Sequence, residues 1–266
     1  MIVNSRTNNS FLQQLKIQGR VIWALTLRES ITRFGREGLG TLWLILEPAM
    51  FIIGVMLMFS ALHADHAGLS YAEYLAVSYP TLLFWRNGTG RVVKAIEINR
   101  PLLHHLPIRP IDIIYSRILL EFSGAAGSFI LLFLVLIYVG VCQLPADILL
   151  MTYGYLLIIG FSFAFVMIMA ALAELNDTIE RVSHIILYLM LPFTGVFIPL
   201  YTLPEQIREY LLYMPLINAV ECFHAGYYGG RMQTFYNIPY TIFSILVMLF
   251  FAYALTNISI RKVKAN

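Results

Sequence analysis

Apolar residues along this chain fall into long blocks separated by short polar or basic breaks, and the blocks predict helices. The first block differs in kind from the rest. Between residues 11 and 34, Trp23, Leu27, Ile31 and Phe34 recur at spacings of 4, 4 and 3, which draws one apolar stripe along a helix. Arg28, Glu29, Thr32 and Arg33 occupy the opposite side. The apolar content is too low for a span, and the pattern predicts an amphipathic helix lying in the headgroup plane. Six later blocks read as spans: Leu42–Leu62, Tyr74–Trp85 continuing through Val93, Ile113–Val141, Ile148–Ala173, Val182–Leu200 and Ile238–Ile260. The second carries Pro80, the third is long enough to tilt, and the fifth is softened by Pro192, Gly195 and Pro199.

Residues 201–237 interrupt the series. Thr202 and Glu205 have the spacing of a capping box that starts a helix. Pro215 stops that helix, and a second one over Asn218–Ala225 ends at Gly226. Apolar runs this short do not cross ~30 Å of hydrocarbon. They predict two re-entrant helices, which a bilayer tolerates only where protein or water surrounds the backbone.

Composition makes the class firm. The chain is 59% hydrophobic and 12% charged, with a mean hydropathy of +0.74. A soluble domain carries about a quarter charged residues. The expectation is therefore an all-α integral membrane protein, a single transmembrane domain over 1–266, with no room for a large soluble domain beside the spans. Met1–Ser10 is polar and no short apolar core with a small-residue cleavage site follows, so the first span is expected to act as an uncleaved signal. Sixteen of the eighteen Lys and Arg residues fall in 1–40, in 86–117, near 181 and at the C-terminus; Arg208 and Arg231 are the exceptions. With six spans, the positive-inside rule places both termini in the cytoplasm and the re-entrant pair outside.

The candidate chemistry is sparse. The stretch from Arg33 to Pro48 marks a crossing from membrane surface to membrane interior. Its arginines suit an anionic leaflet, Trp43 suits the headgroup layer, and Glu47-Pro48 then places an acid and a kink inside an apolar run. Glu47 and Glu121 are isolated carboxylates within spans, each costing ~2.5–3.5 kcal/mol at a helix centre, so each calls for an Arg or Lys partner. The small-residue patch Ser123–Ser128 suits close helix packing. A basic, proline-punctuated segment spans Arg86–Arg117 and suits either a solvated loop or a protruding coupling rod. No Gly-rich phosphate loop, zinc-binding His pair or nucleophile elbow is present in the sequence. His63, Asp65 and His66 are too few for a metal centre. Cys142 and Cys222 read as free apolar fillers, with a bridge left open.

The run from Arg28-Glu29 through Arg33, Phe34, Gly35, Arg36, Gly38, Leu39, Gly40 and Trp43 to Glu47-Pro48 resembles the start of type-2 ABC exporter permeases. Two later features agree: the proline-punctuated segment after the second span, and the series Pro192, Gly195, Pro199, Pro204, Pro215, Asn218 before the last. The resemblance is strongest to the inner-membrane permease of Gram-negative capsular polysaccharide export. Permeases for O-antigen or teichoic acid share the layout and are the close alternative. A membrane-embedded lipid-sugar transferase is a second alternative, for which Glu47, Glu121 and His184 are too scattered. A passive channel or scaffold is a third.

The resemblance implies a homodimer around a canal in the bacterial inner membrane. It implies two cytosolic ATPase subunits that bind the ATP and Mg, so this chain needs no cofactor and has no catalytic site. A periplasmic polysaccharide co-polymerase and an outer-membrane channel would receive the lipid-linked polymer. On this sequence, docking falls to the segment 94–105 with Lys94, Glu97, Arg100, His104 and His105, and to Arg109 beyond it. The substrate path falls to Arg28, Arg33, Arg36, Trp43 and Glu47, with Tyr71, Tyr74, Trp85, Tyr227 and Tyr228 as faces along which a sugar chain slides. An interfacial aromatic belt is the ordinary alternative for each of those rings.

Overall fold

A computed structural model describes residues 11–34, 70–105 and 108–265, with isolated positions between 46 and 58. The side chains of residues 33, 34, 104, 177 and 263–265 also lie outside the description. Arg36, Trp43 and Glu47 fall outside the described residues, as does most of the first expected span. Every regular element described is helical: α1 (Phe11–Phe34), α2 (Tyr71–Ser78), a 3-10 turn (Tyr79–Leu82), α3 (Leu83–Val92), α4 (Ala95–Ile98), α5 (Arg100–His105), α6 (Pro110–Tyr138), α7 (Ile148–Leu175), α8 (Asp177–Met190), α9 (Glu205–Leu212), α10 (Pro215–Tyr228) and α11 (Ile238–Ala265).

Among the described residues, α6, α7 and α11 as far as Lys262 are long and apolar enough to cross a membrane. They stand where the third, fourth and sixth spans were expected. The second expected span is a series, α2, the 3-10 turn and α3, most of it buried. Pro80 brings no N–H to the ladder, and the 3-10 turn forms around it. The fifth expected span is cut short. Helix α8 stops at Met190, a 3-10 turn covers Leu191–Thr194, and Gly195 at φ +72° closes it. Pro192 and Gly195 therefore terminate the helix rather than soften it.

The core centres on α10, in which every residue from Leu216 to Tyr228 is buried. This helix crosses α7 backbone to backbone. A Cβ on Gly154 would lie 2.3 Å from Phe223 N, and one on Gly226 would lie 2.1 Å from Met151 N. Only hydrogen fits at either position. The last carbonyls of α10 are satisfied by the start of α7: Ala146 N–H donates to Tyr227 O at 3.1 Å and Asp147 N–H to Gly226 O at 2.8 Å. Asp147 in turn caps α7 by accepting from Leu150 N–H at 3.0 Å.

Two local expectations are corrected here. Gly226 is not a helix end but the contact point inside α10. The Thr202–Glu205 capping box does not form, because Thr202 lies in a 3-10 turn and donates its hydroxyl to Pro199 O at 2.7 Å. In the patch 123–128, Ala125 and Ser128 are buried, while a Cβ on Gly127 would meet nothing within 4 Å; the tightest backbone approaches fall at Gly154 and Gly226. Cys142 and Cys222 are both buried and free.

Helix α1 lies on α6 with an unusual polarity. Gln18, Ile22, Leu25, Thr26 and Glu29 turn toward the protein, while Trp23, Leu27 and Ile31 are exposed. A soluble amphipathic helix buries its apolar stripe. Here the apolar stripe points away from the chain, which suits contact with lipid.

Candidate functional site

One end of the helix bundle gathers charge. Glu29 of α1 pairs with Arg117 of α6 at 2.9 Å, with both side chains largely buried. Gln18 Nε2 donates to Asp112 Oδ1 at 3.0 Å, and Asp112 Oδ2 accepts from Arg109 N–H at 3.2 Å. Thr26 hydroxyl donates to Ser116 O at 3.3 Å. Arg28 reaches the segment after α4, where Asn99 Oδ1 accepts from its guanidinium at 3.5 Å. Asn99 is itself buried and donates to Ala95 O at 2.9 Å. Lys94 pairs with Glu180, one turn into α8, at 2.7 Å, and that carboxylate raises the Lys94 ammonium above its ordinary range. At the same end Lys262 of α11 donates to Leu175 O at 2.8 Å, a cation on the carboxyl end of α7.

These contacts make α1, α4, α5 and the start of α8 one continuous unit. Ala95, Ile96 and Asn99 face inward. Glu97, Ile98, Arg100, Pro101 and His105 face outward. The result is a short rod held from behind, with acid, apolar and basic side chains along its open edge. Such an edge is suited to docking another protein.

Deeper in the bundle, Glu121 of α6 is buried and pairs with Arg91 of α3 at 3.0 Å. The requirement for a cationic partner is met by an arginine on the neighbouring span. At the opposite end, Glu73 is 6% exposed, accepting from Tyr227 hydroxyl at 2.7 Å and from Arg231 at 3.1 Å. His224 and Ser78 hydrogen-bond at 2.7 Å, and Phe235 N–H donates to Glu221 at 2.9 Å. Among the described residues no three His, Cys, Asp or Glu side chains gather as a metal site. His63, Asp65 and His66 lie outside the description.

Residues 20–228 match the family described as ABC-2 type transporter. The chain belongs to that family. The capsule polysaccharide export inner-membrane protein CtrC of Neisseria meningitidis serogroup B is 35% identical over 249 residues, 93% of this chain and 94% of CtrC. The Haemophilus influenzae protein BexB, of the same description, is 35% identical over 241 residues, 90% of this chain and 91% of its own length. The polysialic acid transport protein KpsM of Escherichia coli is 29% identical over 241 residues, 90% of this chain and 93% of KpsM.

In this ABC-2 family member, the residues expected on sequence grounds separate into groups. Lys94, Glu97, Arg100 and His105 come together on the rod, and Arg109 stands exposed at the start of α6. The His104 side chain is outside the description. Arg28 is exposed and donates one guanidinium N–H to Asn99 Oδ1 at 3.5 Å. The aromatic expectation is corrected. Tyr74, Trp85, Tyr227 and Tyr228 are core residues, each at most 2% exposed, and offer no face along which a sugar chain can slide. Tyr74 packs on Tyr228 and Tyr228 on Tyr227, with His224 against Tyr74 and Tyr228; the Trp85 ring packs on Phe165, and Tyr74 donates to Gly195 O. Tyr71 is half-buried and donates to Phe197 O at 2.7 Å.

Two features escaped sequence reasoning. Ile98 is an exposed apolar side chain at the outward edge of the rod. Its signal was its position between Glu97 and Asn99, where an apolar residue has no core to face. The other is Glu73 with Arg231. Glu73 is the lone acid of the apolar run 71–85, and Arg231 is one of two exceptions to the positive-inside count. Two charges unexplained apart explain each other when paired.

Proposed function

We propose that this chain is the transmembrane permease subunit of an ATP-driven exporter that carries lipid-linked capsular polysaccharide across the inner membrane to the periplasm. The observation that carries the reading is the end-to-end similarity to CtrC, with the family match from residue 20 to 228. The charged end supports it. A motorless permease must receive force through a contact surface, and the rod at 94–105 is braced on three sides by α1, α6 and α8. In this reading a separate ATPase subunit binds the ATP and Mg and pushes on Glu97, Ile98, Arg100, His104 and His105. Two copies of the chain flank the canal, each with one ATPase. Both termini are cytoplasmic, with the charged end inward. Helices α9 and α10 are the outward re-entrant pair; the burial of α10 on all sides supports this, because so short a helix is tolerated at membrane depth where protein rather than lipid surrounds it. A periplasmic co-polymerase and an outer-membrane channel take the polymer onward.

Deleting the gene in an encapsulated host tests the reading. Surface capsule is lost, polymer accumulates in the cytoplasm, and a plasmid copy restores export. Normal surface capsule in the deletion strain overturns the assignment, as does nucleotide or sugar turnover by the purified chain alone.

A further inference from the structure

A pocket of about 250 Å³ opens between α3 and α8, apart from the rod and from the Glu73 cluster. Arg86, Gly90 and Arg91 line it from α3, and His184 and Tyr188 from α8, with Leu191 just beyond. The two arginines differ. Arg91 is neutralised by Glu121 at 3.0 Å. Arg86 donates to the uncharged Tyr79 hydroxyl at 3.0 Å and forms no ion pair among the described residues. Among the described residues its guanidinium therefore has no acid partner, and it brings positive charge to the pocket beside the imidazole of His184.

The depth of the pocket follows from the Lys94–Glu180 pair, which marks the charged end of both helices. Arg86 is eight residues from Lys94 and His184 is four from Glu180. At 1.5 Å per residue they lie roughly 12 and 6 Å inward. A headgroup layer is roughly 5–8 Å thick, so His184 stands at its inner boundary and the Arg86 backbone a few Å below it, from where a long arginine side chain snorkels up to the level of the lipid phosphates. An intramembrane arginine at such a level marks an ion or substrate site by default. Gly90 keeps the space open: a Cβ there would already reach 3.7 Å from His184 Cε1.

We propose that this pocket binds the phosphate of a lipid. Arg86 presents a forked pair of N–H donors to the phosphate oxygens, the His184 ring adds a polar edge, and Tyr188 and Leu191 flank the adjoining apolar part of the lipid. The phosphate belongs either to the lipid end of the exported glycan or to a resident phospholipid. Only the first source rests on the function proposed above.

Native mass spectrometry of the purified full-length protein tests the site. The probes are phosphatidylglycerol and a diacylglycerol with the same chains. Phosphatidylglycerol adducts exceed diacylglycerol adducts several-fold on the wild type. Arg86→Gln removes most of that excess, and Arg86→Lys keeps part of it, since an ammonium lacks the fork. Gly90→Leu removes the excess without changing any charge, and it carries the test if Arg86→Gln fails to fold. Equal adducts of both lipids on the wild type, or an unchanged excess in Arg86→Gln or Gly90→Leu, overturns the site. An excess that Arg86→Gln loses and Arg86→Gln with Glu47→Gln regains also overturns it, because Arg86 then serves an internal ion pair. Capsule export separates the sources. Loss of surface capsule with loss of adducts identifies the glycan's lipid end, and loss of adducts with normal capsule identifies a resident phospholipid. The adduct measurement needs no capsule, so it stands or falls apart from the exporter reading.

Discussion

Where α10 crosses α7, cohesion is backbone on backbone; where α1 lies on α6, it is carried by pairs of polar side chains. At the crossing, Gly154 and Gly226 leave no room for a single added carbon. At the charged end, Glu29–Arg117, Gln18–Asp112, Arg28–Asn99 and Lys94–Glu180 span 2.7 to 3.5 Å through long, jointed side chains. Steric contact rises steeply with approach and fixes one arrangement. The pairs with an exposed cation, Lys94–Glu180 and Arg28–Asn99, exchange with water at little net cost, and Glu29–Arg117 is the drier anchor among them. On the function proposed above, the first region serves as a fixed pivot and the second as an adjustable coupling. A machine driven from one end needs both.

The largest expected effect breaks the pivot. Gly226→Leu forces a branched side chain into the Met151 backbone, and overpacking of this kind costs about 3 kcal/mol or more. Gly154→Leu does the same against Phe223. Both variants are expected to yield no monodisperse protein on size-exclusion chromatography, whereas Gly127→Leu, which meets nothing within 4 Å, elutes as wild type. Normal elution of Gly226→Leu would mean that α7 and α10 do not cross this closely.

Next in size is the Glu73 cluster beside the pivot. Glu73→Ala strands the Tyr227 hydroxyl and leaves Arg231 without its carboxylate, a loss of about 2–3 kcal/mol. Tyr227→Phe removes the hydrogen bond donated to Glu73 and the one accepted from Gln143 N–H, and costs about 1–2 kcal/mol. A thiol-reactive dye reports both. Burial pushes the Cys142 thiol up to about 11, so at neutral pH it stays protonated and unreactive until the chain opens. The labelling temperature should fall further for Glu73→Ala than for Tyr227→Phe.

These two regions also show what a sequence can and cannot display. The spans at 110–138, 148–175 and 238–262 were legible because apolar length is a local property. The need of Glu121 for a cation was legible too, since an isolated acid in an apolar helix has few other solutions. That Arg91 supplies the cation depends on how α3 lies against α6, which no spacing encodes. Gly226 looked like a helix terminus because glycine often is one, and only the passage of α7 over it reveals the crossing. The tyrosines beside it looked like a sliding surface because aromatic residues near a polar break suit an interface. Burial on every side of α10 decides otherwise. The rod at 94–105 was visible from its prolines and charges, whereas its bracing by α1 required Arg28 and Asn99, 71 residues apart, to meet.

The coupling region should respond differently from the pivot. Glu29→Ala leaves Arg117 partly buried without its partner, a cost of about 1–2 kcal/mol, because both side chains are mostly out of water. The expected outcome is a folded permease whose α1 is more readily cleaved by protease, and whose partner ATPase turns over with less response to the permease. Unaltered cleavage of α1 would show that the apolar stripe on the lipid, not the polar seam, holds that helix.

The smallest effect on stability should carry the clearest effect on coupling. Lys94 and Glu180 join the base of the rod to the first turn of α8 at 2.7 Å, yet Lys94 stands in water. Screening makes such a pair a minor contributor to folding. Because the folded Lys94 pKa is raised, the pair's contribution is complete below the ordinary lysine range and fades only above it, so the contact holds steady between about pH 6 and 9. Lys94→Glu and Glu180→Lys each place like charges together and push the rod off α8, and the double swap restores attraction. Thermal stability should be nearly the same in all three. ATPase stimulation by the permease should drop in each single variant and recover in the double. If the singles stimulate as well as wild type, force reaches α8 by another route and the rod ends at α6; if the double fails to recover, the contact matters for its shape rather than its charge.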